Sequence, residues 1–465
     1  MTTFPFTTAF GVAAVIGLVS AAHWVVPSAK LPDVKLYTSL IEFTPETTPP
    51  VPFMRHVTLL EGPAAPVTKP GHFLLKDSSG AMNAFYAALW RTERGQEPNV
   101  ARIVHYGDSP TTADLITGDV RTLLQKRFGN AGPGFTLIAK PWAWYQHHGV
   151  QISGAGWQMD AASHFVVHDG LFGLGGVSFT GGTGAHDLIK YGGASSKELP
   201  TEFEVWYLAQ PGGGRINVIA DGVPIGQVET GIDPAVEDVN TAAFATVHSA
   251  EPVHELEIHV ESGRVRLYGI AAERPGPGVV YDSLGMNGAS ITVFTRMFNR
   301  EHWTAELQHR KPNLVVINYG TNEADFGSYV NGPYEKDLRE AVRRVQAAVP
   351  EASLMLMSPM DRGHRVGLDE IQTMPTIPQI VGIQERVAAK MGCAFFNTFE
   401  AMGGEGTMAR WYQGERRLVS ADLIHPIPAG GQIVANAFVR ELMLGYNRFK
   451  LSRLTNTGAE KGNLK

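Results

Sequence analysis

The sequence predicts an α/β protein in which helices cover a parallel sheet and an antiparallel β-sandwich interrupts that domain. Short apolar strands alternate with helical patterns near residues 102–128 and again over 314–444, which is typical of βαβ units. The middle of the chain has little helical period and holds twelve glycines in the 45 residues from 149 to 193. The length of 465 residues leaves room for two or three domains.

The first α/β segment is predicted to contain a helix, a strand and a second helix. Apolar residues recur at helical spacing from Met82 to Leu89, so a helix is expected there. Residues 102–106 are predicted to form a strand. The next helix should begin near Pro110 and end at Gly129, because proline suits a first turn and glycine suits a C-terminal cap.

The second α/β segment repeats this alternation. The pattern predicts strands at 314–319, 353–357 and 393–396, and helices at 334–349, 378–391 and 428–444. Such a series favours a parallel sheet with helices on both faces.

Residues 150–280 are predicted to form the inserted sandwich. Alternating apolar residues over 203–207 and 256–260 have the period of half-buried strands. Asp221-Gly222 separates two apolar runs, a strong hairpin signal, and Ser262-Gly263 is expected to turn the chain between two more strands. The alternative is a cluster of long loops without its own core, which the regular strand spacing disfavours.

Composition excludes several classes of protein. The net charge is −6 and the isoelectric point is near 6.2, so nucleic acid is not expected as the main partner. With 44% hydrophobic and 18% charged residues, the chain is neither disordered nor a polytopic membrane protein. The single cysteine, Cys393, excludes an intrachain disulfide. No His, Cys and carboxylate spacing matches a zinc site, and we expect neither a metal nor a cofactor.

The N-terminus predicts export. Residues 10–26 form an apolar run of 17 residues, which suits a signal peptide or a membrane anchor over 1–29. A Pro-rich spacer over 30–76 follows, with seven prolines between 44 and 70. The expected location is periplasmic, or membrane-anchored and facing the periplasm or cell surface. A buried helix of a cytosolic domain is the alternative. A mobile tail is predicted over 449–465.

Three polar segments follow predicted strands or precede a helix. Ser109 stands where a strand leads into a helix, a position at which ligands bind in open α/β sheets, although serine there is also a common cap. Asn322 follows the strand at 314–319 and could donate to an oxyanion or merely form a turn. Asp422 and His425 are three residues apart, so the carboxylate could orient the imidazole; a surface pair is the alternative.

In this order the segments resemble the blocks of the SGNH or GDSL hydrolase superfamily. The first block is Gly107-Asp108-Ser109, the third is Gly320 to Asn322, and the last is Asp422 to His425. The second block is similar to Asn287-Gly288-Ala289-Ser290. The resemblance covers about residues 101–140 and 279–445. It implies a flavodoxin-like three-layer α/β/α domain divided into 77–149 and 281–448 by the insertion.

The resemblance also implies roles for individual residues. Ser109 would be the nucleophile, His425 the general base and then acid, and Asp422 the residue that orients it. The oxyanion hole would consist of the N–H groups of Ser109 and Gly288 together with the side-chain amide of Asn322. Gly285 is the alternative to Gly288.

Pro110 departs from the leucine that is common after the nucleophile in this superfamily. Proline has no N–H, so an α/β-hydrolase elbow, which uses the amide after the nucleophile, cannot operate here. The oxyanion hole implied above does not need that amide. The departure therefore disfavours the rival serine-hydrolase fold.

With its inserted β-sandwich and predicted export, the chain resembles peptidoglycan O-acetylesterases that carry a carbohydrate-binding-type β-sandwich. This implies removal of O-acetyl groups from a cell-wall glycan, with an acetylated polysaccharide as substrate and no obligate protein partner. An acetylxylan-type esterase, a polysaccharide O-acetyltransferase with the same triad, and a catalytically idle glycan-binding protein are the alternatives.

Substrate contacts are expected from three further residues. Asp361 and Arg362 follow a predicted strand and could reach the substrate, or form an ion pair within a loop. Trp142 belongs to a group of aromatic residues with Trp144, Tyr145 and Trp157 at the start of the insertion. These could form a platform for sugar rings or pack in the core.

Overall fold

The computed structural model describes residues 73–163, 169–193, 198–233, 235, 240–367 and 370–462, with side chains through residue 453. The predicted leader and the spacer up to residue 72 lie outside the described residues. Leu75–Lys76, at the end of the predicted spacer, form a short strand. Within the described ranges no helix is both long and apolar enough to cross a membrane.

The described residues form the following strands and helices. The strands are β1 (Leu75–Lys76), β2 (Val100–Gly107), β3 (Gly134–Thr136), β4 (Val150–Ala161), β5 (Val177–Tyr191), β6 (Glu202–Pro211), β7 (Arg215–Ala220), β8 (Val223–Glu229), β9 (Gly231–Ile232), β10 (Thr241–His248), β11 (Glu255–Ser262), β12 (Arg264–Glu273), β13 (Gly278–Gly285), β14 (Leu314–Asn318), β15 (Ser353–Met357), β16 (Gly363–Arg365), β17 (Ile371–Thr373) and β18 (Ala394–Phe396). The α-helices are α1 (Asn83–Glu93), α2 (Ser109–Thr112), α3 (Thr117–Phe128), α4 (Arg300–Arg310), α5 (Gly327–Val330), α6 (Tyr334–Ala348), α7 (Thr376–Met391), α8 (Thr398–Ala401), α9 (Thr407–Gln413) and α10 (Pro428–Gly462). A π-helical turn covers Val293–Met297 and a 3₁₀ turn covers Glu323–Asp325.

A six-stranded sheet has the order β1-β18-β15-β14-β2-β13. All neighbours are parallel except β1, which runs antiparallel to β18. Numbered by their appearance in the chain, the five parallel strands have the order 2-1-3-4-5, which is that of a flavodoxin-like sheet. The predicted α/β fold class is confirmed.

Helices cover both faces of this sheet. Successive residues of a strand point to opposite faces, so neighbouring residues of β2 pack into different cores. Ile103 packs into a core with side chains of α1, α3 and α10. Its neighbour Val104 packs into the opposite core with α4, α6 and α7. Both residues are fully buried, as expected for a parallel strand covered on both faces.

The insertion forms a second sheet of ten strands, whose main path is β10-β6-β12-β5-β11-β7-β8. The first part of β5 pairs with β12 and its second part pairs with β11, so the sheet bends at β5. The sheet then curls until edge strands β8 and β10 are in contact. The Asp221-Gly222 and Ser262-Gly263 turns separate β7 from β8 and β11 from β12 as predicted.

The inserted sheet shares a hydrophobic core with one face of the α/β region. Trp206 of β6 and Trp303 of α4 are both fully buried in this core. Ion pairs also connect the two regions: Arg310 of α4 donates to Asp282 on β13 and to Glu273 on β12. The insertion is therefore anchored to the α/β region by packing and by buried ion pairs.

Three element boundaries differ from the sequence prediction. The helix expected from Pro110 to Gly129 is broken at Asp114, whose φ of 52° is left-handed. Strand β13 starts at Gly278, inside the range assigned to the insertion, and belongs to the parallel sheet. Helix α10 continues through Gly462 and so includes most of the tail predicted to be mobile; Phe449 in that segment is 7% exposed.

Candidate active site

The candidate site lies at the carboxyl ends of three neighbouring strands. Strand β2 lies between β13 and β14, so the strand that follows β2 in the sheet lies on one side of it and the later strands lie on the other. Open α/β sheets bind ligands at such a switch point, beyond the carboxyl ends of the strands. Ser109 begins α2 directly after β2, Gly288 follows β13, and Asn322 follows β14. The loop before α10 contributes His425.

The structure brings Ser109, His425 and Asp422 into one chain of hydrogen bonds. Ser109 Oγ is 2.6 Å from His425 Nε2, and His425 Nδ1 is 2.7 Å from Asp422 Oδ2. With Nδ1 donating to the carboxylate, Nε2 is free to accept the serine proton. The His425 and Asp422 side chains are 36% and 44% exposed, so solvent reaches this end of the site.

A tight loop holds the Asp422 carboxylate in place. Its Oδ1 accepts hydrogen bonds from the N–H groups of Ile424, at 2.9 Å, and His425, at 3.0 Å. Ser420 Oγ donates to the same oxygen. Leu423 closes the loop with a left-handed φ of 62°, an uncommon conformation for a bulky residue that is found at functional sites. Burial raises the pKa of Asp422, but hydrogen bonds from His425 and Ser420 outweigh it and hold the pKa well below its usual range.

The second and third blocks are joined by the Asn322 side chain. Asn322 Nδ2 donates to the carbonyl oxygen of Ala289 at 2.8 Å, which leaves the second N–H of this amide for another acceptor. Gly288, adjacent to Ala289, has a left-handed φ of 71° with open space where a Cβ would stand. Gly285 is packed instead, because a Cβ there would lie 2.0 Å from the backbone nitrogen of Thr112. Gly288 fits an exposed oxyanion donor better than Gly285 does.

Two buried carboxyl groups lie behind these loops. Asp108 is 3% exposed and Glu323 is 1% exposed. Burial raises the pKa of Asp108 to about 6, against a hydrogen bond from the Thr321 hydroxyl. Burial also raises the pKa of Glu323 to about 7, against a hydrogen bond from the Ile291 N–H. No role was predicted from the sequence for either acid or for Ser420. The available signal was an acidic residue within five positions after each of two apolar strands, β2 and β14.

The residues expected to contact substrate are engaged elsewhere. Asp361 is 1% exposed, and its Oδ2 accepts the N–H of Met408 at the start of α9, so substrate cannot reach it. Arg362 binds both carboxylate oxygens of Asp325 and the carbonyl oxygen of Thr321, the loop ion pair left open as the alternative. Arg362 thus supports the loop after β14, whereas Asp361 holds the start of α9.

The aromatic group separates into packed and exposed members. Trp142 is partly buried against the hydrophobic core, and Tyr145 is 4% exposed. Trp157 packs across Gly181, where a Cβ would lie 2.6 Å from the indole ring. Trp144 is 50% exposed. The packing alternative therefore describes Trp142 better than a substrate-binding role does.

No group of three or more His, Cys, Asp or Glu side chains within the described ranges is arranged to hold a metal ion. The available groups are a hydroxyl, an imidazole, a carboxylate and uncharged N–H donors, which is the set that acyl transfer requires.

Part of the chain matches a known protein family. Residues 260–433 match the model of the GDSL-like Lipase/Acylhydrolase family. The match contains the second, third and last blocks, whereas Ser109 lies before it, separated by the insertion. No curated protein matches the chain.

One solved structure shows a similar fold, and a second aligns over part of the chain. A structure titled "Peptidoglycan O-acetylesterase in action, 5 min" is similar with a TM-score of 0.66 and 23% identity, over 82% of this chain and 99% of that chain. A family two carbohydrate esterase from Clostridium thermocellum with cellohexaose aligns at 14% identity over 62% of this chain and 100% of that chain. Its TM-score is 0.28. The fold, the order of the blocks and the match over residues 260–433 make this chain similar to GDSL-like lipases and acylhydrolases.

Proposed function

We propose that the protein is an exported esterase that removes O-acetyl groups from a cell-wall glycan, with peptidoglycan as the first substrate to test. The observation that carries this proposal is the continuous contact from Ser109 through His425 to Asp422. The similarity in fold to a peptidoglycan O-acetylesterase supports the choice of substrate. The apolar N-terminal segment at 10–26 supports export.

The first half of the reaction forms an acetyl-enzyme. Ser109 Oγ attacks the acetyl carbonyl while His425 Nε2 takes the hydroxyl proton. The carbonyl oxygen becomes an oxyanion, which the N–H groups of Ser109 and Gly288 and the Asn322 amide stabilise. The C–O bond to the sugar then breaks, and His425 returns the proton to the departing sugar hydroxyl.

The second half releases acetate. His425 takes a proton from water, and the resulting hydroxide attacks the acetyl carbonyl on Ser109. Collapse of the intermediate returns the proton to Ser109 Oγ. The 36% exposure of the His425 side chain gives water access to the base, which favours hydrolysis over transfer to a second sugar.

Acetate release from two polymers tests the substrate assignment. The full-length protein should release acetate from O-acetylated peptidoglycan and little from acetylated xylan, and Ser109→Ala should abolish the release. Release from xylan alone would keep the esterase and refute the cell-wall assignment. Acetylation of an added acceptor glycan, in place of free acetate, would favour an O-acetyltransferase.

Fractionation tests the location. We expect the full-length protein outside the cytoplasm, either cleaved near residue 29 or retained in the membrane fraction. Recovery of uncleaved protein in the cytoplasmic fraction would contradict export.

A further inference from the structure

Trp144 is a large apolar side chain that the fold leaves half exposed. It is 50% exposed, while Tyr145, its neighbour in the same loop, is 4% exposed. Exposed aromatic side chains of this size are found in binding sites, because they contribute contact area at little conformational cost. The position of this ring therefore decides which ligand it could meet.

The indole lies against the second block of the candidate site. Trp144 Nε1 donates to Asn287 Oδ1 at 3.1 Å, and Asn287 immediately precedes Gly288. On the other side of Gly288, Ala289 accepts the hydrogen bond from Asn322. The ring thus contacts the residue that directly precedes Gly288, a proposed oxyanion donor.

The loop that carries Trp144 is fastened to the helices that follow the nucleophile. The Gln146 N–H donates to the carbonyl oxygen of Thr112, in the same helical turn as Ser109, at 3.1 Å. The His148 N–H donates to the buried Asp114 carboxylate at 2.7 Å, and Arg121 donates to the His148 carbonyl oxygen at 3.2 Å. These bonds fix the loop relative to Ser109, so a ligand on the ring would lie at a defined place beside the site.

The surroundings of the ring suit a sugar better than an acyl chain. The indole contacts the polar side chain of Asn287, and the same loop also exposes the polar side chains of Lys140, Gln146 and His148. A long acyl chain requires a continuous apolar surface. A pyranose ring instead presents an apolar C–H face surrounded by hydroxyl groups, which matches one indole with polar neighbours.

We propose that Trp144 forms a sugar subsite beside the oxyanion hole, on which a pyranose ring of the acetylated polysaccharide packs. This inference rests on the proposed function. It gives the insertion a direct part in substrate selection, because the loop that carries Trp144 leads into the inserted sheet.

The test compares two substrates with three variants. We expect Trp144→Ala to lower kcat/KM for acetylated peptidoglycan at least tenfold more than kcat/KM for p-nitrophenyl acetate, which has no sugar ring. Trp144→Phe keeps a ring without the indole N–H and should retain most of the polymer activity. Asn287→Ala removes the acceptor of the indole hydrogen bond and controls for loss of that bond.

Each outcome decides one of the two proposals. Equal losses on both substrates, shared by Trp144→Ala and Asn287→Ala, would mean that the ring only supports the loop and would overturn the subsite. Absence of any additional polymer loss in Trp144→Ala would overturn it as well. A wild-type protein that hydrolyses the small ester but no acetylated polysaccharide would instead refute the proposed function. Equal thermal stability of the folded variants is the control for structure.

Discussion

Replacing Glu323 by glutamine should stabilise the protein selectively at neutral and alkaline pH. Glu323 is 1% exposed, and its Oε1 accepts the Ile291 N–H at 2.8 Å. Glutamine retains a carbonyl oxygen for this bond and removes the ionisable group. Burial, with a further contribution from the charge of Asp108, raises the pKa of Glu323 from 4.5 to about 7.

The pH range follows from the direction of this shift. Below pH 4.5 the carboxyl is protonated in both the folded and the unfolded chain, so it does not change the free energy of unfolding. Between 4.5 and about 7 the unfolded chain ionises first, and stability falls as the pH rises. Above that range the folded state bears the full cost, which is about 3 kcal/mol at 1.36 kcal/mol for each pKa unit.

Urea unfolding followed by tryptophan fluorescence, from pH 4.5 to 8, measures this difference. The free energy of unfolding of Glu323→Gln should exceed that of the wild type by a margin that grows by about 2–3 kcal/mol across this range. Glu351→Gln, at an exposed position after α6, is the control for removal of a carboxylate. Parallel pH profiles for wild type and Glu323→Gln would refute the reasoning.

Three further substitutions test separate parts of the structure. Asn322→Ala should lower kcat for acetyl-ester hydrolysis about 100- to 1,000-fold, while loss of its hydrogen bond to Ala289 should cost only about 1 kcal/mol of stability; an unchanged kcat would remove Asn322 from the oxyanion hole. Gly285→Ala should cost about 1–3 kcal/mol of stability and also lower kcat, because its Cβ would displace the backbone at Thr112; wild-type values in thermal melts and kinetics would contradict this close packing. Arg310→Ala should cost about 3–5 kcal/mol in urea unfolding, since it leaves Asp282 buried without its cation and Glu273 paired with Arg102 alone, whereas the exposed Arg343→Ala should cost less than about 1 kcal/mol; equal effects would contradict the network.

The sequence predicted the meeting of Ser109, Asn322 and His425 because strand ends are visible in the apolar pattern. Parallel strands bring their carboxyl ends to one edge of a sheet, so segments far apart in the chain converge there. The order of the blocks then selected the superfamily. Their catalytic roles stay predictions until the variants are measured.

The direction of individual side chains could not be predicted in the same way. Asp361 does follow a strand, but its carboxylate turns inward to Met408, a partner 47 residues away. Trp142 and Trp144 are two residues apart and differ in burial because one packs on the core and the other on Asn287. These partners are distant in the sequence, so the residues around each side chain do not indicate which partner it will contact.

The C-terminal boundary was missed for a related reason. The segment after Phe449 has little helical period in the sequence, yet Phe449 packs against Tyr86 and Trp90. Lys450 also pairs with Glu93 of α1. Contacts with a distant helix thus extend α10 beyond the point that local pattern indicated.

Labelling with a fluorophosphonate probe tests the central claim, that His425 and Asp422 activate Ser109 as a nucleophile. Mass spectrometry of the digested full-length protein should find one adduct, on the peptide that contains Ser109. The adduct should be absent from Ser109→Ala and should form at least 100-fold more slowly in His425→Ala. Absence of labelling in the folded wild type, or an adduct on a different serine, would contradict the account.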